Sequence, residues 1–401
     1  MASDNNQPSY LRRYYGPSGQ NTGNFYIEND WLYKPCKTHK RLYAFNVAPG
    51  ADTTYSGYFI DAEYLTNADC VAGEAIKDGY LYLLAPGART YGCITVADVT
   101  TSGSPSYHSY KENTSYMRYP KCACILGDHM YVAGEQVGTT RFISIWDLSN
   151  PGSPSYARNW GFGSVNFNGS KLYAYNNHLY FSYAGTVHIY EVSNPVYPTQ
   201  VGSFSAIMGT VHFSGDYAFI ASSVTVYIVD ISDIENPNVI HYWNPDSDTG
   251  FTVIMQGVWF DSANDYLYLG AYYQNRGILA YDISTKTNPV LYDVLTAGGP
   301  SYPGRMLEYN GEVFVTGYYN TDSSDVRVFD FKQYKFSGNA TNDTHVWAVY
   351  PSDFTVLDDW EISAGTYTIK PVYVNDPVHL FGVNTTTSGI ISYGIVTPVE
   401  V

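Results

Sequence analysis

Short apolar runs recur along this chain, each fenced by polar, turn-forming residues. WLY, YLYLLA, MYVA, LYFSY, AFIA, YLYLG and VFV all follow closely on a polar pair. The pairs are Asn29-Asp30, Asp78-Gly79, Gly127-Asp128, Asn176-Asn177, Gly215-Asp216, Asn264-Asp265 and Asn310-Gly311. Such runs are too short for amphipathic helices and read as buried strands entered from tight turns. A second run follows after a polar loop and ends on an acid: ITVAD at 94–98, ISIWD at 143–147, VHIYE at 187–191, VYIVD at 226–230, ILAYD at 278–282 and VRVFD at 326–330. Segments such as SNPGSP then break the ladder, because proline has no N–H to donate to it. One more strand follows the break, as in PSYHSY, and one precedes the polar pair, as in GNFYIEN.

The aromatic position just after the polar pair exposes the period. It falls at Tyr33, Tyr82, Tyr131, Tyr180, Phe219, Tyr268, Phe314 and His379, with steps of 49, 49, 49, 39, 49, 46 and 65. Four strands every ~40–50 residues is the signature of a β-propeller blade. The chain is therefore expected to be all-β: a single closed propeller over 1–401.

The repeat resembles the LVIVD-repeat family of propellers. The resemblance is clearest in GDYAFIASSVTVYIVDISDIENP at 215–237, and ILAYDISTKTNP (278–289) and ISIWDLSNPGSP (143–154) are close behind. The first, seventh and last units depart from it, with APG at 48–50, DFK at 330–332 and YGI at 393–395. The resemblance spans roughly 23–398. It implies a propeller and little about activity; in that family the repeats are associated mainly with surface or secreted proteins.

The N-terminal QPSYLRRYYG looks like the closing strand of a unit. Ser9 precedes Tyr33 by 24 residues, as Ser106 precedes Tyr131 by 25 and Ser155 precedes Tyr180 by 25. The last unit ends at Pro398 without an outermost strand of its own. Residues 8–15 are therefore expected to complete the last blade and join the chain ends, which removes open sheet edges. Eight blades are favoured, with the long step from Phe314 to His379 read as an insertion at 335–372. If 338–401 is a separate small β-domain, the count is seven.

Composition adds contact chemistry. Tyrosine supplies 42 of 401 residues, and only 14% are charged. Tyrosine offers a large contact area, a polar tip and little rotamer entropy to lose, so it suits interfaces. Tyr14, Tyr15, Tyr272, Tyr273, Tyr318 and Tyr319 fall in outer strands or loops and are the candidate interaction surface; scattered surface tyrosines are the plainer reading. The net charge of −16 and the lack of a basic run oppose nucleic-acid binding. YKPCKTHKRLY at 33–43 reads as a solvated hairpin tip. MASDNNQPSY carries no secretory signal pattern, and no apolar stretch is long enough to span a membrane.

Candidate chemistry is sparse. No G-x-S-x-G elbow, Walker loop or H-E-x-x-H occurs. The repeated acid at Asp98, Asp147, Glu191, Asp230, Asp282 and Asp330 sits in equivalent places. A catalytic pair needs unlike environments, so this acid reads as a turn acceptor. Asp246 and Asp248 in NPDSDTG match the first half of a calcium loop but lack its distal Glu; they are weak metal candidates beside an ordinary loop reading. Cys122 and Cys124 share a strand face and read as core thiols. Sequons lie at Asn113, Asn168, Asn339, Asn342 and Asn384.

These features point to a non-enzymatic structural or adhesive propeller without a cofactor. Its expected partners are protein subunits, copies of itself or virion neighbours, in an extracellular particle such as a virion. The alternative is a secreted or cell-surface LVIVD-type propeller binding carbohydrate or protein. A third reading is a propeller glycoside hydrolase or lyase.

Overall fold

The computed structural model describes residues 9–18, 25–36, 40–48 and 55–330, apart from short loop interruptions, and the strands between 334 and 400; its side chains are described for most of 25–316. Contacts divide the chain into a larger unit of 12–307 with 315–327, and a second unit of 1–11, 308–314 and 328–401.

The larger unit holds six successive sheets of antiparallel strands, each in chain order. The first is Tyr26–Glu28, Trp31–Cys36, Arg41–Asn46 and Tyr55–Ile60. The second runs through Tyr80–Ala85, Cys93–Asp98 and Ser106–Lys111, with the short pieces Asp69–Cys70 and Ile76–Lys77 as its innermost edge. The third begins at Arg118–Leu126, the fourth at Lys171–Tyr175, the fifth at Thr210–Ser214 and the sixth at Ile254–Asp261. A seventh sheet contains Met306–Tyr309, Glu312–Tyr319 and Ser323–Asp330.

Turn chemistry explains the hairpins. Both central residues are left-handed at Asn29-Asp30, Asp78-Gly79, Asn176-Asn177 and Asn310-Gly311. That is the type I′ geometry whose twist matches the flanking strands, and Asn, Asp and Gly tolerate it best. The second strand is covered on both faces. Tyr80–Ala85 buries every residue but Tyr80, His178–Tyr183 every residue but its two ends, and Tyr82, Tyr131, Tyr180 and Tyr268 are fully buried. Outer strands such as Ser155–Gly161 stay largely exposed.

The repeated acid is a turn acceptor. Asp98 accepts the Thr100 N–H at 2.9 Å, Asp147 the Ser149 N–H at 2.7 Å, Asp230 the Ser232 N–H at 2.9 Å and Asp282 the Ser284 N–H at 2.9 Å. Bonds from the Thr100 hydroxyl and N–H hold the Asp98 carboxyl below its ordinary range, and the Ser149 N–H does the same for Asp147. In the first sheet Asn46 makes the same bond, accepting the Ala48 N–H at 2.9 Å. A neutral amide serves equally, so the position needs an acceptor and not a charge.

Hydroxyls of the repeated tyrosine tie neighbouring sheets. Tyr82 donates to the Pro151 carbonyl and Tyr131 to the Pro195 carbonyl, each at 2.9 Å and each in the loop of the next sheet. The buried Tyr180 hydroxyl has no such partner among the described residues.

Each outer strand of the first six sheets carries one bulge beside its neighbour, at Ser56, His108, Ala157, Val201, Ile240 and Tyr292. A bulge bends and twists its strand, here at the same place in every sheet. Gly57 and Gly202 sit beside two of them, where the next sheet's loop presses in. A Cβ on Gly202 would lie 2.0 Å from the Ile234 carbonyl oxygen. Backbone cannot yield as a flexible side chain can, so Gly202→Ala should cost about 2 kcal/mol, read as a lower urea midpoint with unchanged slope.

Two expectations are corrected here. The N-terminal strand, Ser9–Ser18, pairs with Ser323–Asp330 at the edge of the seventh sheet and does not complete the last repeat unit. The last unit does not form an eighth four-stranded sheet in repeat order either. Val378–Asn384 lies between His345–Val349 and Gly389–Val396, with Val356–Glu361 at the far edge. Thr366–Val372, the strand just before it, pairs instead with Tyr334–Asn339, which also takes Val399–Glu400. A blade needs its first strand beside its second, and here they belong to different sheets.

Candidate functional site

The first strands of the fourth, fifth and sixth sheets and the start of the seventh line a cavity of about 270 Å³. Its wall takes Tyr173 and Tyr175 from the fourth sheet, Thr210, His212 and Phe213 from the fifth, Val258 from the sixth, and Arg305 with Met306 and Leu307 at the start of the seventh. Each of these strands is the first of its sheet and pairs on one side only.

The geometry is aromatic with one cation. Tyr175 and Phe213 stack with ring centres 4.7 Å apart and planes 9° apart. Tyr173 donates to the Gly209 carbonyl at 2.9 Å and Tyr175 to the Gly215 carbonyl at 3.1 Å. Arg305 donates from Nη1 to the Phe25 carbonyl at 3.1 Å, immediately before the first sheet. Its own carbonyl accepts the Thr316 N–H at 3.0 Å. Burial pushes the Tyr173 hydroxyl pKa up, opposed by the charge of Arg305. Burial likewise raises the Cys122 thiol to about 12, against the pull of Lys171. The Thr210 hydroxyl is sheltered from water with no hydrogen-bond partner among the described residues.

His212 is only partly covered by neighbouring atoms, yet burial lowers its pKa to about 4. The narrow cavity lets little bulk water stabilise the cation. A histidine depressed on folding contributes stability that is present above its unfolded pKa and lost as pH falls below it. Stability should therefore drop by about 2 kcal/mol, with solvent screening allowed for, between pH 6.5 and 4. Denaturant melts across that range should show the slope, and His212→Gln should remove it.

The other sequence candidates scatter. Asp246 accepts the Val253 N–H at 2.7 Å, and Asp248 accepts the Tyr281 hydroxyl at 2.9 Å. Both carboxylates belong to a single helical turn, Asp246–Thr249, and serve separate partners. No group of three potential metal ligands occurs among the described residues. Tyr14 and Tyr15 lie in the Ser9–Ser18 strand, Tyr272 and Tyr273 in Tyr266–Tyr273, and Tyr318 and Tyr319 in Glu312–Tyr319; their side chains fall outside the described residues. The sequons at Asn168, Asn339, Asn342 and Asn384 also fall outside the described side chains. Asn113 is half-buried and accepts the Ser115 N–H at 3.1 Å.

Other tyrosines do stand out from the sheets. Tyr58, Tyr107, Tyr156 and Tyr242, all in outer strands, are 42%, 38%, 37% and 67% exposed. The sequence drew attention to the doublets and to the cluster SYHSYKENTSYMRY at 106–119, which holds Tyr107, but not to Tyr58, Tyr156 or Tyr242. Their signal is position, since each lies one or two residues from the bulge. The cavity residues were not legible, because the first strand of each unit has no fixed motif.

Residues 209–244 match the family model described as the LVIVD repeat. That stretch contains the whole fifth sheet, Thr210–Ser214 to Asn238–Trp243. Residues 209–244 thus carry an LVIVD repeat, within a chain of β-propeller fold. Solved structures share the fold. The β-propeller domain of Cps50 (Swd1) from Myceliophteria thermophila superposes with a TM-score of 0.55 at 10% identity, covering 81% of this chain and 99% of that one. A chain of the mitotic checkpoint complex gives 0.56 at 9%, covering 82% and 94%. A protein from Lactobacillus plantarum gives 0.51 at 11%, covering 94% and 95%. Identities this low speak for the propeller fold alone. No curated protein matches the chain. Among the described residues, no helix is long and apolar enough to cross a membrane.

Proposed function

We propose that this propeller is a non-enzymatic structural module that joins protein subunits through its outer strands, as a component of an extracellular particle such as a virion. The observation that carries the reading is the exposed tyrosine set at Tyr58, Tyr107, Tyr156 and Tyr242 on four different outer strands. Repetition around the sheets presents similar contact chemistry in several directions, as assembly requires. In this reading the ring has seven blades and the Ser9–Ser18 strand closes it. The hydrogen bond from Arg305 to Phe25 supports closure, because it joins the inner start of the seventh sheet to that of the first. Strands between 334 and 400 form a further β unit beyond the repeats.

The repeated acids support a non-catalytic reading, since Asp98, Asp147, Asp230 and Asp282 all accept turn N–H groups. Changing Tyr58, Tyr107, Tyr156 and Tyr242 together to Lys tests the proposal. The variant should keep its far-UV spectrum and melt near the parent. The parent should show fast-sedimenting species in sedimentation velocity, and the variant should lose them. Identical sedimentation of a folded variant would contradict the proposal.

A further inference from the structure

The cavity among the first strands goes unused in that reading, and its chemistry is selective. Arg305 is the single charged residue among its described lining, and no described carboxylate pairs with it. A guanidinium keeps its charge at any working pH and carries five donors in a planar fork. One donor serves the Phe25 carbonyl. The Thr210 hydroxyl stands in the same wall without a partner among the described residues.

We propose that this cavity binds a small monocarboxylate. Its carboxylate lies on the Arg305 fork, and its ring or apolar body lies along the Tyr175–Phe213 pair toward Val258 and Met306. Arginine matches a carboxylate with two parallel N–H bonds, shorter and stronger than neutral ones. The stacked rings and aliphatic wall give a flat face for a six-membered body. At about 270 Å³ the space lies below the usual range for drug-sized ligands. A dianion such as phosphate fits less well. One fixed cation faces it, His212 stays neutral, and the chain as a whole carries −16. The same carboxylate chemistry is offered by a free aromatic acid and by a uronic acid residue of a glycan.

Isothermal titration of the full chain with benzoate, D-glucuronate and inorganic phosphate tests the assignment. At least one carboxylate should bind saturably, with phosphate weaker by roughly 30-fold or more. A preference for glucuronate identifies the sugar source, and a preference for benzoate the free acid. Affinity should stay level between pH 6 and 8, because burial keeps His212 neutral there. Arg305→Gln should weaken binding by roughly 30-fold and Arg305→Lys by roughly 10-fold. Loss of the Phe25 contact could unfold Arg305→Gln, so Leu307→Glu provides a second readout. It leaves Arg305 in place and sets a competing acid at the cavity wall, and it should abolish binding. Failure of both carboxylates to saturate would overturn the proposal. So would tighter binding of phosphate, or parental affinity in folded Arg305→Lys and Leu307→Glu.

Discussion

A chain lacking residues 1–18 should lose on the order of 5 kcal/mol of stability and unfold over a broadened transition. The deletion takes away Ser9–Ser18, the outermost strand of the seventh sheet. Ser323–Asp330 then keeps a partner on one side only, and a row of backbone N–H and C=O groups is left at an open edge. Each ladder hydrogen bond is worth about 1 kcal/mol net, so a long strand adds several even after its ordering entropy. A synthetic peptide spanning residues 7–18, added in trans, should restore part of the loss by pairing with that edge. Calorimetry with and without the peptide checks both statements. A truncated chain that melts like the parent would show that this strand contributes no closure.

The second large effect is expected at Tyr131, whose side chain is fully buried and whose hydroxyl holds the next sheet at the Pro195 carbonyl. Tyr131→Ala should cost about 3–5 kcal/mol, the range for emptying an aromatic site in a packed core. Tyr131→Phe separates the two contributions. It keeps the ring but strands the Pro195 carbonyl, and should cost about 1–2 kcal/mol. Tyr180 gives the contrast. It occupies the same repeat position, equally buried, but its hydroxyl has no partner among the described residues. Tyr180→Phe removes an unmet polar group and should be neutral or slightly stabilising. Equal losses for the two phenylalanine variants would show that the inter-sheet hydrogen bond adds nothing.

The same residues explain how much was legible in the sequence. The repeated tyrosine and the left-handed pairs such as Asn29-Asp30 recur because buried strands and type I′ turns admit few residue types. The acid at Asp98 recurs because its turn needs an acceptor. Those constraints are local, so they print a period. The address of a lone strand is not local. Ser9–Ser18 has the spacing of any outer strand, and backbone pairing carries no label for the sheet it joins. His379 fell on the aligned aromatic position only because Asn375-Asp376 resembles the repeated turn. Its strand pairs with His345–Val349, out of repeat order. The cavity was hidden for the opposite reason. Tyr173, His212 and Val258 stand on first strands, and Arg305 just before one, where they line a cavity and packing does not force one residue type.

The central claim is that this propeller assembles through its outer strands. Size-exclusion chromatography with light scattering on the purified chain, followed by electron microscopy of the peak, tests it most directly. The account predicts defined oligomers, rings or fibres, with masses at multiples of 44.7 kDa. A single species of 44.7 kDa that persists at high concentration would contradict self-assembly.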